Sequence, residues 1–576
     1  MQGARALVEV LRRSGVEHIF GLPGDTGMAF YEALNDAQND ITHIMTRDER
    51  SASFMADAYA RVSGRVGICE GPSGGGATYI VPGVAEAQGS AIPLLCLTSD
   101  TPVSQHARGV LTELDKESLF RPITKWNSRI NSSATMAEMT RRALRMATAG
   151  RPGAVHLSLP TDSLEGETSD ESVYGVPDFL NAPAMRTRPD PDLVQRAADA
   201  IVQAERPVIV AGGGVVTSQA WDALTLFAES LNIPVATSIN GKGSIAETSP
   251  VSVGIVGGNG AREYTNALVA DSDLVIFIGS RTDSTTTHHW RIPQINRGPK
   301  AIQIDVEPYE IGNNYELVAP IAGDARLTLL DLLSAIDHPE RVAKKHQERI
   351  DGLVGIRDHY WADVAEQGLS DSQPIKPQRL VRAMREALGD DTIIVADPGT
   401  PTPYLGAQYE LRRAGRSMVI PRAHGGLGYA IPASVGAYYA AAGKRVICMT
   451  TDGSFGFSCG EFETVTRLGL PIVYIQCSNN SFGWIKELQH LYHDDRYFGV
   501  DFNGVDYAAI ARGFGLKSWS ISDPADIEGT LQQALAYGGP AYINVTTESQ
   551  ITETPPVAAW IDAEAKRKFG IRTEHH

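Results

Sequence analysis

The chain is poor in cysteine, in long apolar runs and in basic residues relative to acidic ones. It has 5 cysteines in 576 residues, and no two of them form a CxxC pair. This scarcity argues against a disulfide framework or a structural zinc site and is typical of a reducing cytoplasm. No run of about 18 apolar residues is present, and the amphipathic segment ARALVEVLRRSG near Met1 is unlike a signal peptide. We therefore expect a soluble, cytoplasmic protein.

The charge balance excludes further classes of protein. Lys and Arg together number 51 and Asp and Glu number 68, so the formal net charge is −17. Nucleic acids and anionic membranes attract basic surfaces, and we therefore expect no nucleic acid and no membrane among the partners. Hydrophobic residues make up 43% of the chain and charged residues 21%, which is the range of ordinary globular proteins and rules out a disordered or fibrous chain.

The length and the hydrophobic pattern predict three α/β domains. Short, continuous apolar strands such as IPLLCLTSD, DLVIFIGSR and RVICMTT alternate with helical segments. This alternation is typical of parallel sheets covered by helices on both faces. We predict three doubly wound parallel-sheet domains at 1–170, 192–345 and 374–550, with a proline-rich linker from Pro177 to Pro191 and a charged helix before the third domain. The tail at 551–576 is predicted to form a lid or to fray.

Polar residues follow two neighbouring strands of the third domain. Asp452 lies in TDGSF after one strand, and Asn479 lies in SNNSFG after the next. Ligands of doubly wound sheets bind outside the carboxyl ends of the strands, and carboxylate and amide oxygens suit magnesium. Gly453 and Ser454 offer backbone amides to a phosphate there. The same residue types are also common at helix caps and turns, so either reading stays open at this point.

The first domain has an acidic residue and two glycine loops. Glu49 opens the Ala-rich helix RDERSASFMADAYARVSG, and the glycine loops FGLPGD and EGPSGGGAT follow strands. Glycine clusters let a ligand approach the backbone closely. A carboxylate in a first helical turn also compensates the helix dipole, so Glu49 alone does not define a site.

Together, these segments resemble a known family. In chain order they are FGLPG, the acidic helix start, SGGGAT, ITKWN, HGGLGYAIP, and DGSF followed by NN. Over essentially the whole chain they resemble thiamine-diphosphate enzymes of the acetolactate synthase type. The resemblance implies a pyrimidine-binding domain, a central domain and a diphosphate-binding domain, in that order. It also implies thiamine diphosphate, magnesium, and a homodimer or homotetramer with active sites between subunits.

The resemblance also assigns roles to single residues. Glu49 matches the glutamate that hydrogen-bonds the cofactor's aminopyrimidine ring and so promotes deprotonation of the thiazolium carbon. Asp452, Asn479 and the carbonyl of Ser481 match the magnesium ligands, although Thr451 replaces the first glycine of the usual GDG triplet. Leu427 matches the apolar residue that bends the cofactor into a V. The other positions implied at the cofactor are Gly24, Gly75, Gly399 and Thr400.

Family membership leaves the substrate open, because this fold carries decarboxylases, carboligases, oxidases and acyl-CoA lyases. Lys486 suits a carboxylate or a CoA phosphate, but also a solvated helix surface, and the neighbouring Glu487 leaves an acid/base role uncertain. A lone histidine is more often structural than catalytic. The residues expected at the substrate are Phe120, Trp484, Ile485 and Lys486, with His106 and His424 near the cleft.

The central domain resembles an adenine-nucleotide site. GGG at 212–214, GSR at 279–281 and IDVEP at 304–308 fall at its strand ends, so Arg281 and Asp305 are candidate contacts. Arg281 suits a diphosphate. FAD, ADP or no ligand all agree with these segments, whereas AGGGVV lacks the GxGxxG spacing of an NAD dehydrogenase.

Three functions follow from these patterns. The first is a carboligase or decarboxylase of a small 2-oxo acid such as pyruvate. The second is a 2-hydroxyacyl-CoA lyase or an oxalyl-CoA decarboxylase-like enzyme, with the tail closing over the thioester. The third is a non-enzymatic relative, against which the intact Glu49, Asp452 and Asn479 argue.

Overall fold

A computed structural model describes residues 1–569, 571 and 573. It contains three parallel sheets of six strands each, flanked by helices, and this confirms the predicted α/β architecture. Within the described residues, no helix is both long enough and apolar enough to cross a membrane.

The first domain has its strands in the spatial order β2-β1-β3-β4-β6-β5. The strands are β1 (His18–Gly21), β2 (Thr42–Met45), β3 (Gly67–Gly71), β4 (Leu94–Asp100), β5 (Trp126–Arg129) and β6 (Ala154–Pro160). The helices are α1 (Gly3–Ser14), α2 (Met28–Asp36), α3 (Glu49–Ser63), α4 (Gly75–Tyr79), α5 (Val81–Gly89), α6 (Lys116–Phe120), α7 (Met136–Thr148) and α8 (Thr161–Glu165).

The central domain has the strand order β12-β11-β10-β7-β8-β9, that of dinucleotide-binding sheets. The strands are β7 (Pro207–Ala211), β8 (Val235–Thr237), β9 (Ser252–Ile255), β10 (Leu274–Ile278), β11 (Lys300–Asp305) and β12 (Leu317–Ala322). The helices are α9 (Pro191–Gln203), α10 (Gly213–Thr217), α11 (Trp221–Leu231), α12 (Glu263–Ala270), α13 (Ala325–Ala335) and α14 (Pro339–Gln367), the predicted charged helix.

The third domain repeats the strand order of the first, as β14-β13-β15-β16-β18-β17. The strands are β13 (Ile393–Ala396), β14 (Met418–Val419), β15 (Val446–Thr451), β16 (Val473–Ser478), β17 (Lys517–Ile521) and β18 (Ala541–Thr546). The helices are α15 (Pro377–Ala387), α16 (Pro401–Gln408), α17 (Ala430–Ala440), α18 (Asp452–Ser458), α19 (Glu461–Arg467), α20 (Gly483–Tyr492), α21 (Tyr507–Gly513), α22 (Ile527–Tyr537) and α23 (Ala558–Lys568).

Helix α3 joins the first and third domains. It is Ala-rich, and 11 of its 15 residues are buried. Three glycines bring neighbouring elements against it: Gly436 of α17 meets the backbone of Met55, Gly67 of β3 meets that of Ala56, and Gly83 of α5 meets Ser53. A side chain at any of these glycines would collide with α3. Small residues therefore fix the helix that carries Glu49 at its first position.

Two segments differ from the sequence-based expectation. The stretch from Pro177 to Pro191 is not a free linker, because Leu180 is buried in the first domain's core and its carbonyl accepts the N–H of Val66. The described part of the tail forms α23, whose Trp560 packs on Trp484 of α20 with ring centroids 4.3 Å apart. The expected lid or frayed end extends to residue 576, and residues 570, 572 and 574–576 lie outside the described residues.

Candidate active site

In all three sheets, the predicted site segments follow strands at or beside the place where the strand order reverses. In the first sheet this place lies between β1 and β3, which lead into the loops of Gly24 and Gly75. In the third sheet it lies between β13 and β15, which lead to Gly399 and Asp452. A crevice forms at such a switch point because the connections leave in opposite directions, and ligands bind there.

Glycine and proline residues pack closely around Glu49 at the edge of the first sheet. A Cβ atom at Gly24 would collide with Pro72, so the two glycine loops pack directly on each other. A Cβ atom at Gly76 would lie 2.9 Å from Oε1 of Glu49, and one at Gly71 would lie 3.2 Å from Cγ of Glu49. A Cβ atom at Gly75 would meet nothing closer than the ring of Tyr79, at 3.9 Å. The glycines therefore let both loops lie directly against each other and against the Glu49 carboxyl group.

Glu49 is a buried acid at the first position of α3. Asp48 caps the helix by accepting the N–H of Arg50 at 2.7 Å, so Glu49 is not needed as the cap. Burial raises the pKa of Glu49, and the charges of Asp48 and Glu70 raise it further. Such a carboxyl group holds a proton at a pH where an exposed glutamate has lost it.

At the edge of the third sheet, the structure brings Asp452, Asn479 and Ser481 together. Oδ2 of Asp452 accepts the N–H of Asn479 at 2.9 Å and that of Asn480 at 2.6 Å. The hydroxyl of Ser481 donates to Oδ1 of Asn479 at 2.9 Å. Burial raises the pKa of Asp452 to about 6, against the lowering effect of these backbone donors.

The donor set at this edge suits a magnesium diphosphate. Among the described residues, no three His, Cys, Asp or Glu side chains converge on a metal position. The oxygens at this edge are those of the Asp452 carboxylate, the Asn479 amide and Ser481, and magnesium takes such ligands together with phosphate oxygens. The hydroxyl of Ser454 is buried without a hydrogen-bond partner. Gly399 has a φ of +114° and open space around its Cβ position, which keeps the loop before Thr400 accessible. The residues present therefore fit thiamine diphosphate with Mg²⁺.

Gln550 is a member of this edge that sequence reasoning missed. Its Nε2 donates to the hydroxyl of Thr400, while its Oε1 is buried without a partner and lies where a side chain of Gly483 would otherwise stand. Gln550 follows β18 by four residues in a segment without a motif. Only the folded sheet brings it to Thr400, so the sequence holds no signal for it.

The loop with Leu427 is held by a buried acid of the first domain. Glu86 of α5 accepts the backbone N–H groups of four consecutive residues, Arg422, Ala423, His424 and Gly425, at 3.1, 3.2, 2.7 and 3.2 Å. Leu427 is half-buried, and the imidazole of His424 is exposed. Glu86 is the second residue that sequence reasoning missed, because its partners lie far away in the chain.

A third unpredicted group is a cluster around Glu70, at the end of β3. This buried carboxyl accepts a hydrogen bond from the hydroxyl of Tyr31, and the imidazole of His43 lies 3.3 Å away. Burial raises the pKa of Glu70, while His43 and Tyr31 lower it. In the sequence, the one feature that indicated this cluster was a glutamate within an apolar strand.

The residues predicted to face the substrate lie in three different surroundings. Trp484, Ile485 and Lys486 share α20, with Ile485 exposed and Lys486 paired with Asp501 at 2.6 Å. Phe120 is instead fully buried and stacks on His156 with ring centroids 3.8 Å apart. Its ring therefore belongs to the core and not to an open pocket, because α6 packs against β5 and β6. The side chain of His106 is 64% exposed and lies beside Glu113.

The central domain contains a cavity of about 360 Å³ at its own switch point, between β7 and β10. It is lined by 212–214, 279–281 and 304–306, so the glycine loops, Arg281 and Asp305 lie around one cavity. Burial raises the pKa of Asp305. Loops of the first and third domains close the cavity, so it lies where all three domains meet.

Three domains of this order and topology, with an acid at one edge and an Asp–Asn pair at another, define a thiamine-pyrophosphate enzyme. Family models agree: the thiamine pyrophosphate enzyme N-terminal TPP binding domain matches residues 1–119, the central domain matches 194–332, and the C-terminal TPP binding domain matches 397–545. The protein is therefore a thiamine-pyrophosphate enzyme.

Curated relatives narrow the class. The chain is 33% identical to a probable acetolactate synthase large subunit of Methanococcus aeolicus, over 97% of this chain and 94% of the relative. It is 34% identical to one of Methanocaldococcus jannaschii, over 95% and 92% of the two chains. It is also 28% identical to acetolactate synthase isozyme 1 large subunit of Escherichia coli, over 96% and 95%. The chain belongs to the acetolactate synthase-like family of thiamine-pyrophosphate enzymes, which confirms the resemblance.

Proposed function

We propose that the protein forms or breaks a carbon–carbon bond of a small 2-oxo acid such as pyruvate, with thiamine diphosphate and Mg²⁺. The observation that carries the proposal is the buried acid Glu49 beside two glycine loops, within a chain similar to acetolactate synthases over 97% of its length. That similarity supports a 2-oxo acid over the acyl-CoA alternative.

In this proposal the residues of the third sheet hold the diphosphate. Asp452, the side-chain oxygen of Asn479 and the carbonyl of Ser481 ligate the metal. Gly399, Thr400, Gly453 and Ser454 contact the phosphates through backbone amides and hydroxyl groups. The bound cofactor supplies an acidic thiazolium carbon that becomes the nucleophile.

Glu49 has the proton-handling role. Burial raises the pKa of Glu49, which favours the protonated carboxyl group that a hydrogen bond to a ring nitrogen of the cofactor needs. Gly24 and Gly75 let that ring approach the backbone, and Leu427 sets its angle to the rest of the cofactor. His424, Ile485 and Lys486 are the proposed neighbours of the substrate; Trp484, packed on α23, shapes the same wall.

The test of this role is Glu49→Gln, followed by proton NMR of pyruvate with thiamine diphosphate and magnesium. We expect the wild type to convert pyruvate and the variant to lose at least about 100-fold in rate, the usual size of a general acid–base contribution. Calorimetry should show thiamine diphosphate still bound. The exposed Glu32 of α2 provides the control, Glu32→Gln, which should keep full activity. Full activity of Glu49→Gln would contradict the assignment.

We also propose a homodimer or homotetramer in which the first sheet of one subunit faces the third sheet of another. Large apolar side chains stand exposed beside both edges, with Leu111 84%, Met28 61% and Phe498 88% exposed. Exposed apolar groups at two site edges are typical of surfaces that a partner covers.

Complementation tests the shared site. Glu49→Gln and Asp452→Asn, each inactive alone, should regain activity when the two chains are co-expressed with different tags and purified as mixed oligomers. The activity returns because one of the two sites in a mixed pair then receives both intact residues. Mixed oligomers that stay inactive would place the whole site within one chain.

For the central domain, we propose an adenine nucleotide, FAD or ADP, in the 360 Å³ cavity. Arg281 suits its diphosphate, and Asp305 suits a ribose hydroxyl.

A further inference from the structure

Two cavities meet at the side chain of Arg422. One is the nucleotide cavity of the central domain, and the other, of about 470 Å³, lies between segment 284–291 and helices α20 and α23. Ser284, Thr285 and Arg422 line both cavities. Arg422 therefore lies on the wall of both cavities.

The backbone of Arg422 is firmly held. Its N–H is the first of the four that Glu86 accepts, and the carboxylate of Glu86 also pairs with Arg61 at 3.0 Å. A carboxylate with so many donors fixes the loop and is itself satisfied. Arg422 is thus presented to the cavities by a rigid support.

The guanidinium of Arg422 has no acid committed to it. In the part of the chain that the structure describes, it forms no ion pair, and its Nε is buried without a hydrogen-bond partner. The acids that act on it electrostatically are Glu86 and Asp283. Glu86 is engaged as described, and Asp283 accepts the N–H groups of Thr285 and Thr286 at 3.0 and 3.1 Å.

The second cavity favours anions. Among the described residues, Arg291, Lys566 and Arg422 line it against one acid, Asp562. His288 and His289 also line it, but burial lowers the pKa of His288, so that imidazole favours its neutral form. Burial lowers the pKa of Arg422, the direction expected of a cation that lacks a counter-charge. A guanidinium group held this way gains most from a planar carboxylate or a phosphate, which it binds with two parallel hydrogen bonds.

We propose that Arg422 binds an oxyanion group of a ligand at the junction of the two cavities. This inference deepens the proposed function. It rests on that function because the proposed substrate and the proposed nucleotide are the two sources of the oxyanion group. One source is the carboxylate of the 2-oxo acid in the second cavity, and the other is the phosphate of the nucleotide in the first.

Binding calorimetry on Arg422→Gln tests the proposal. The probes are FAD and ADP for the nucleotide, and oxamate, an unreactive analogue of pyruvate, in the presence of thiamine diphosphate and magnesium. We expect the variant to bind either a nucleotide or oxamate at least 10-fold more weakly, with thiamine diphosphate binding unchanged. Loss for the nucleotides alone identifies the phosphate, and loss for oxamate alone identifies the carboxylate.

Unchanged affinity for every probe would overturn the proposal, and so would a wild type that binds none of them. The control is Arg413→Gln, because Arg413 is exposed and its loss should change no affinity. Arg422→Lys should retain part of the affinity, because it keeps the charge and loses the planar fork.

Thermal unfolding of the ligand-free protein separates binding from a structural role. Removing a cation that has no partner should leave the melting temperature unchanged or raise it. A fall in melting temperature together with loss of thiamine diphosphate binding would mark Arg422 as structural and overturn the proposal. Absence of pyruvate turnover would refute the proposed function alone, since the affinities are measured directly.

Discussion

Burial raises the pKa of several acidic side chains near the candidate site. Glu49 is the one with a proposed role, but Glu487 on α20 is affected more, since burial, and then the charge of Glu564, raise its pKa to about 8. Glu487 is fully buried. A carboxyl group of this kind makes stability depend on pH, because folding favours its protonated form.

Glu487→Gln should remove that dependence. An acid with a raised folded-state pKa weakens the fold as pH rises, from its ordinary value of 4.5 up to about 8, and the loss is complete above that. We therefore expect the variant to match the wild type at pH 4.5 and to be more stable by ~3–6 kcal/mol at pH 8.5. Thermal unfolding across this range is the measurement, with the exposed Glu348→Gln as control. An equal difference at both pH values would count against the assignment.

Among the elements, helix α3 connects packing to chemistry. Its alanines and the glycines around it allow α17 of the third domain to cross it at close range, and the same packing holds Glu49 against the glycine loops. Residues of both helices belong to one continuous apolar cluster. The site acid is thus positioned by a helix that is packed on several sides. A substitution that shifts this helix should therefore also move the Glu49 carboxyl group.

Gly436→Ala tests this packing. The added Cβ would collide with the carbonyl of Met55, so we expect a loss of ~1–3 kcal/mol, the usual cost of an overpacked core. Urea unfolding gives the value. The matched control is Gly529→Ala on the exposed side of α22, where nothing lies within 4 Å and the change should be neutral or stabilising. Equal stability of the two variants would show that the helices can separate without cost.

For the whole molecule, a buried charge cluster joins the central and third domains. Glu247 pairs with Lys242 at 2.7 Å and with Arg262 at 2.8 Å, and it accepts the N–H of Leu411 at 2.7 Å. Lys242 and Arg262 also donate to the carbonyls of residues 406 and 407 in α16. Since α16 follows the loop of Gly399 and Thr400, the cluster fixes the central domain beside the proposed diphosphate site.

Replacing Glu247 should weaken the contact between the central and third domains. Glu247→Gln leaves two buried cations without a counter-charge, so we expect a loss of ~3–5 kcal/mol. Calorimetry should show the central domain unfolding earlier than the rest. The comparison is Glu386→Gln, which breaks the exposed pair with Arg382 and should cost only ~0.5 kcal/mol or less. A single transition at the wild-type temperature would contradict the role of the cluster.

The sequence predicts a large part of the fold and of the site. Continuous apolar strands, glycine loops after them and DGSF followed by NN are local patterns, so the three domains, the helix at Glu49 and the pairing of Asp452 with Asn479 could be read from them. Phe120 could not be placed, because whether an aromatic ring faces a cleft or a neighbouring histidine depends on the packing of α6. The same holds for the stretch from Pro177, whose polar composition conceals the buried Leu180.

The sequence by itself determined the α/β class and the order of the domains, because apolar strands and helical segments alternate along it. It also determined which acid and amide side chains follow the strands. Contacts between distant segments decided the rest. Gln550 reaches Thr400, Glu86 clamps the loop of Arg422, and Glu70 gathers Tyr31 and His43, each across a distance in the chain that no motif spans. Burial makes these contacts important for stability. A polar or charged group that leaves water loses favourable hydration free energy, and only a hydrogen-bond partner in the folded protein restores it.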